Sequence, residues 1–263
     1  MPVEHPLQQL AARQLRDYRL RRPGTLFADG ADLDLEQAYA LQDAVSCLRL
    51  AEDDWPAGYK VGCTGPGTTM QFGMAGPVRG RVFASEIRSC GATLRFEDYA
   101  NLAVEAEMAL LMGGATEILA VFPVIELHNF IFRAPRKSLA ELVANNGLHA
   151  GAVLPDERWL ATPCDLARAA PLEIRINDTQ HTAACPWALP GGVQASLNWL
   201  RGHLARYGQA LAPGDIVLAG TPLGLYPVLP GDRISVRLGG AVAVEATVAP
   251  PESHRHSGLG SSQ

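Results

Sequence analysis

Three glutamates in two apolar runs carry the strongest chemical signal in the sequence. Glu105 and Glu107 lie two apart in LAVEAEMALLM, residues 102–112, and Glu126 lies in AVFPVIELH, residues 120–128. On a strand, side chains two apart share a face, so Glu105 and Glu107 would point the same way, about 6.5–7 Å apart. If the two runs lie side by side, three carboxylates converge. Burying unpaired carboxylates is costly, and a divalent cation removes the cost. Three hard oxygen donors without a cysteine or histidine cluster suit Mg2+ or Mn2+, with water or substrate completing an octahedron. The plain alternative is a solvated sheet face with Glu105 and Glu107 pointing outward. The apolar flanks weigh against it, but the spacing alone leaves both readings open.

Lys60, in AGYKVGC, is the only charge between Asp54 and Arg79. It could bind a substrate carboxylate, or transfer a proton if its surroundings lower its pKa. A surface lysine laying its stem over apolar neighbours is the alternative. In LAGTPLG, residues 218–224, Gly220 and Thr221 follow a strand-like run. Such a loop can bring a backbone N–H and a hydroxyl to a ligand, or it can be a simple turn.

The elements that would position these groups read as a mixed α+β chain. Helical spacing marks residues 5–20 and 33–50, the second with Asp34 as N-cap and Gln37 at the capping-box position. From Gly58 onward short β-like runs dominate: GYKVGC, RVFAS, ATLRF, LAVEAEMALLM, AVFPVIELH, LEIRIND, DIVLAG and RISVRL. Helices interrupt at 138–146 and 191–208, the latter with Leu197, Leu200 and Leu204 on one side. Many strands with few helices predict a mixed β sandwich or roll, not an alternating βαβ sheet. The expected organisation is a helical N-terminal region, 1–57, a β-roll domain, 58–250, and a disordered Gly/Ser-rich tail, 251–263, with His254 and His256 solvated.

Composition narrows the function classes. The chain has 263 residues, 48% hydrophobic and 19% charged, as expected of an ordinary globular protein. A formal net charge of -5 argues against a general nucleic-acid binder and leaves room for a local basic pocket. Cys47, Cys63, Cys90, Cys164 and Cys185 make no CxxC pair. Scattered thiols, an amphipathic N-terminus unlike a secretory leader and apolar runs too short to span a bilayer predict a cytoplasmic protein with no membrane partner.

Taken in order, EQAYALQ (36–42), GYKVGCT (58–64), GRVFAS (80–85), VEAEMALLM (104–112), PVIEL (123–127), NNGLHAG (145–151), LNWL (197–200), PGDIVLAGTPLG (213–224) and PGDRISV (230–236) resemble the fumarylacetoacetate hydrolase superfamily. The branch is that of the 2-oxopent-4-enoate hydratases and 4-oxalocrotonate decarboxylases. The resemblance implies that Glu105, Glu107 and Glu126 hold Mg2+ or Mn2+, that Lys60 is the active-site lysine, and that Gly220 and Thr221 flank the substrate. It implies a β-roll fold, a homo-oligomer and a small 2-oxo acid substrate. Two departures stand out. The stretch between Glu107 and Glu126 is shorter than the family's, and Ser85, followed by Glu86, stands where the hydratases and decarboxylases often have Asp. Ser85 would keep a hydrogen-bonding role, or Glu86 would substitute. His149 in NNGLHAG is a further polar candidate, with a structural histidine as the alternative.

The activity implied is hydration of a 2-hydroxy-2,4-dienoate at C4. Decarboxylation of a 4-oxalocrotonate-type acid and acylpyruvate-type C–C hydrolysis use the same site. A reading of another class is a non-catalytic metabolite-binding or partner subunit.

Overall fold

The computed structural model describes residues 6–73, 76–161 and 170–250. Cys164 and the tail at 251–263, with His254 and His256, lie outside the described residues.

The helices are α1 (Pro6–Arg19), α2 (Thr25–Ala28), α3 (Leu35–Leu50), α4 (Pro66–Phe72), α5 (Leu139–Ala144) and α6 (Val193–Arg206). The strands run β1 (Pro56–Gly62), β2 (Val78–Phe83), β3 (Ile87–Ser89), β4 (Ala92–Leu94), β5 (Leu102–Met112), β6 (Ile118–Asn129) and β7 (His149–Leu154). They continue as β8 (Leu172–Ile176), β9 (Thr179–Ala183), β10 (Ile216–Leu218), β11 (Tyr226–Pro227), β12 (Arg233–Leu238) and β13 (Ala241–Val248). The mixed α+β architecture expected from the sequence is what forms. Asp34 caps α3, accepting from the Gln37 backbone N–H while Gln37 accepts from the Asp34 N–H. That reciprocal bonding fixes where α3 begins.

The larger sheet has the order β2-β1-β10-β5-β6-β7-β3, with β11 added to β5. The smaller has the order β4-β13-β12-β8-β9. Strand alternation divides the long β5–β6 hairpin between two environments. On one face Leu102, Val104, Ala106, Met108, Ile125 and Leu127 pack against Ile174, Val236 and Val244 of the smaller sheet. Further along the same face, Leu110, Met112 and Val121 meet Leu197, Leu200 and Leu204 of α6.

The opposite face is concave. Val82, Ala109, Phe122, Val124, Ala152 and Leu218, drawn from five strands, form one buried cluster there. The sheet curls far enough that β2 comes against β7. The result is a roll whose interior is apolar at one end and carries the glutamates at the other. Helices α1, α2, α3 and α5 share a separate apolar cluster with Val78 and Leu148.

Candidate metal centre and active site

Register explains why the acidic residues meet. In the antiparallel β5–β6 pair Glu105 lies opposite Glu126, and Glu107 opposite Val124. His128 is two residues beyond Glu126, hence on the same face, and β7 sets His149 opposite it. Lys60 arrives from β1, where Tyr59 and Val61 face the α6 side and Lys60 faces inward.

The contacts are short and almost wholly buried. Glu107 and Glu126 have no exposed surface, and Lys60 is 3% exposed. The Lys60 ammonium lies 3.3 Å from Glu126 Oε1. His149 Nδ1 donates to the same oxygen at 2.6 Å. His128 Nε2 lies 3.2 Å from Glu105 Oε2 and 3.3 Å from Glu126 Oε2. The Gly220 N–H donates to Glu107 Oε2 at 3.0 Å.

Glycine makes room for the lysine. A Cβ on Gly147 would meet Lys60 Cε at 2.7 Å, and one on Gly80 would meet Lys60 Cγ at 2.9 Å. Gly147 is the middle of three consecutive left-handed residues, Asn146, Gly147 and Leu148. Asn146 straps that turn to β2 by accepting from the Arg81 N–H and donating to the Arg81 carbonyl.

The charges act on one another. Burial, then Glu126 and Glu105, pushes the Glu107 carboxyl well above the usual carboxylate range. Burial opposes the Glu126 carboxylate too, yet Lys60, His128 and His149 hold it well below that range. His128 is destabilised by burial but raised by Glu126 and Glu105 to about 9. Lys60 is destabilised by burial, and Glu126, Glu105 and Glu107 overcome this to place it above its ordinary value. The sequence reading allowed a lowered lysine pKa. The shift has the opposite sign, because three carboxylates surround the ammonium.

The residues present fit a divalent cation. Among the described residues, Glu107 Oε1 and Glu126 Oε2 are buried without a hydrogen-bond partner, as are both ring nitrogens of His128. Single ligand atoms of Glu105, Glu126 and His128 all lie within 4.8 Å of one another. Leaving such oxygens bare is expensive, and a cation would satisfy them.

A cavity of about 500 Å3 opens onto the cluster, lined by Glu105, Glu107 and Thr221 together with Cys185, Trp187 and Leu223. Thr221 reaches this cavity, but its hydroxyl donates to the Ala106 carbonyl at 2.8 Å and accepts from the Leu223 N–H at 3.1 Å. With the Gly220 N–H bound to Glu107, the loop is folded by its own polar groups. At its left-handed φ of 92°, Gly220 also brings its Cα against Thr64, where a Cβ would come within 2.6 Å of that side chain.

Ser85 and Glu86 go elsewhere. They line a separate cavity of about 400 Å3 with Tyr18, Arg49 and Arg88. Arg49 donates to Glu86 Oε1 at 2.7 Å and to Ser85 Oγ at 3.3 Å, and Tyr18 donates to Glu86 Oε1 at 2.5 Å. The structure therefore gathers Lys60, Glu105, Glu107, Glu126 and His149, adds His128, and leaves Ser85 and Glu86 apart. His128 was missed in the sequence, although its position two beyond Glu126 on a strand was a readable signal.

The curled larger sheet, with its β10–β5–β6–β7 order, forms the mixed α+β roll expected from the sequence, and the acidic residues lie inside it. No family model matches the chain. It is similar to the TodF product hydratase of Pseudomonas putida, 27% identical over 83% of this chain and 85% of that protein. It is similar as well to 2-keto-4-pentenoate hydratase 1 of Dechloromonas aromatica, 28% identical over 82% and 86% of the two chains. The fold matches 4-oxalocrotonate decarboxylase from Pseudomonas putida G7, complexed with magnesium and adipate, with a TM-score of 0.84 and 19% identity over 94% and 99% of the chains. It also matches fumarylpyruvate hydrolase from Pseudomonas aeruginosa, in complex with Mn2+ and pyruvate, with a TM-score of 0.52 and 17% identity over 73% and 88%. The hydratase and decarboxylase branch resembled by the sequence is the one these relatives occupy.

Proposed function

We propose that the chain is a divalent-metal-dependent hydratase of a 2-hydroxy-2,4-dienoic acid, adding water at C4 to give a 4-hydroxy-2-oxo acid. The observation that carries this is the cluster of Glu105, Glu107 and Glu126 beside Lys60, with buried carboxylate oxygens left without partners. The named hydratases similar over more than four-fifths of the chain support it. Glu105, Glu107 and Glu126 are the proposed ligands of Mg2+ or Mn2+. When bound, such an ion supplies Lewis-acid polarisation of the 2-keto oxygen.

The chain's own residues do the rest. Lys60, kept as an ammonium by the glutamates, sets a positive charge 3.3 Å from Glu126 Oε1. It suits electrostatic stabilisation of charge developing on a bound keto acid, because the surrounding carboxylates hold its proton. His149 holds Glu126 in one orientation through Nδ1. Thr221 and the loop it folds close one wall beside the substrate. Trp187, Leu223 and Leu225 supply an apolar wall, and among the described residues no Lys, Arg or His side chain lines this cavity. An uncharged diene end fits such a wall, whereas a second carboxylate would be desolvated there without a partner.

The decarboxylase remains the second reading because of the similarity in fold to 4-oxalocrotonate decarboxylase. An acylpyruvate-type hydrolase stands third, and a non-catalytic metabolite-binding subunit is the reading of a different class. Their common test is an assay with Mg2+ on 2-hydroxypenta-2,4-dienoate and on 2-oxohex-3-enedioate. Hydration of the first is expected. CO2 release from the second without hydration of the first would reverse the order, and binding of 2-oxo acids without turnover would favour the non-catalytic role. Glu105→Ala should abolish metal-dependent turnover, and a full rate in that variant would remove the metal mechanism.

We further propose a division into a helical region at 1–57 and a catalytic roll at 58–250, a cytoplasmic setting consistent with the unpaired Cys47, Cys63, Cys90 and Cys185, and a homo-oligomer. None of the described helices is long and apolar enough to cross a membrane.

A further inference from the structure

We infer that His128 is itself a metal ligand. The centre is then a mixed nitrogen–oxygen site built on Glu105, Glu126 and His128. It takes Mn2+, Co2+ or Zn2+ in clear preference to Mg2+. This rests on the metal reading above and changes what that metal is.

Four observations converge on it. His128 is 2% exposed, and neither ring nitrogen has a hydrogen-bond partner among the described residues. Its Nε2 points between two carboxylate oxygens, 3.2 Å from Glu105 Oε2 and 3.3 Å from Glu126 Oε2. Adjacent ligand atoms on an octahedral ion with arms of about 2.1–2.3 Å stand about 3.0–3.3 Å apart, so these separations already have the size of a coordination edge. The Glu126 carboxylate is divided: Oε1 is taken by His149 and Lys60, which leaves Oε2 turned toward His128. Glu107 stands differently, since its Oε2 is committed to the Gly220 N–H and only Oε1 is free to join.

An imidazole nitrogen changes the preference of the site. Mg2+ takes oxygen and holds its water tightly, whereas imidazole favours the later first-row ions. The competing account is that His128 merely neutralises Glu105 and Glu126 as an ion pair. In that case the ring leaves the carboxylates to the cation and contributes no nitrogen.

The full chain, stripped with a chelator, is titrated calorimetrically with MgCl2, MnCl2, CoCl2 and ZnCl2. Electron spin echo modulation is then recorded on the Mn2+ form. A directly coordinated imidazole nitrogen should appear in the unaltered protein, with Mn2+ and Co2+ bound about 100-fold more tightly than Mg2+. In His128→Ala, and in His128→Asn as a second variant, the nitrogen signal should vanish. The Co2+ to Mg2+ affinity ratio should fall about 10–100-fold. Tight Mn2+ binding without a nitrogen signal in the unaltered chain overturns this inference while sparing the metal reading. Failure of every cation to bind overturns both. The spectrum of the unaltered protein needs no variant to fold.

Discussion

Two groups of buried charge can be set side by side, one around Arg49 and one around Glu126. In the first, a single guanidinium sits between Glu86 and Asp54, 2.7 and 2.6 Å away, and lies 3.6 Å over the Phe83 ring. Opposite charges alternate, the aromatic face covers the cation, and Tyr18 adds a hydroxyl. In the second, carboxylates crowd one another on one sheet face, and one of them, Glu107, is driven toward its neutral form. The first arrangement is what burial asks of charges that only hold structure. The second has Lys60 and His128 against Glu126, yet among the described residues Glu107 Oε1 and Glu126 Oε2 still lack hydrogen-bond partners. The contrast separates a structural cluster from a candidate site without reference to any relative.

Variants can test that contrast. Glu126→Ala should do the most damage. It strands Lys60, His128 and His149 together, so turnover should fall on the order of a thousandfold. Stability without metal should drop by about 3–5 kcal/mol, read by denaturant unfolding. Arg49→Ala should cost a similar ~3–5 kcal/mol, because Glu86 and Asp54 lose their partner. Its Mn2+ affinity, measured calorimetrically, should stay unchanged, and a collapse of that affinity would merge the two clusters into one.

A cation at about 100 times its dissociation constant should add about 2.7 kcal/mol of stability, reversed by chelator. Arg49→Ala should keep that increment and Glu126→Ala should lose it. Gly147→Ala should cost about 1–3 kcal/mol through left-handed strain and the push on Lys60, with kcat falling more than KM rises. The smallest change is expected for Ser85→Ala, within about 0.5 kcal/mol, since this hydroxyl only accepts a long bond from Arg49. A large loss of turnover in that variant would bring the Arg49 cavity into the reaction.

What could be read in the sequence followed the strength of local patterns. The hairpin of β5 and β6 was legible because long apolar runs there carry a two-residue alternation, and α3 because Asp34 and Gln37 form their capping box. Strand β7 was not read as a strand. HAGAVL is built largely of small residues with weak β preference, and its place between β6 and β3 is a tertiary fact. Strand β13 went unread for a similar reason, AVAVEATV being rich in alanine.

The gathering of Lys60 with the glutamates depends on β1 reaching β5 through β10, and no local pattern announces that pairing. The same holds for Ser85 and Glu86. The resemblance made them site candidates, but the turn after Phe83 carries them to Arg49. His128 needed only the period of two to be placed on the acidic face.

The parallel pairing of β1 with β10, which sets Lys60 beside Leu218, has a temporal consequence. A growing chain displays the lysine well before β10, the strand that pairs beside it, since β2 to β9 and α4 to α6 come between β1 and β10 in the order of synthesis. Until then the hairpin bearing the acids has an open flank. The centre cannot close until β10 has been made and has paired across that long separation, and such distant pairing folds slowly.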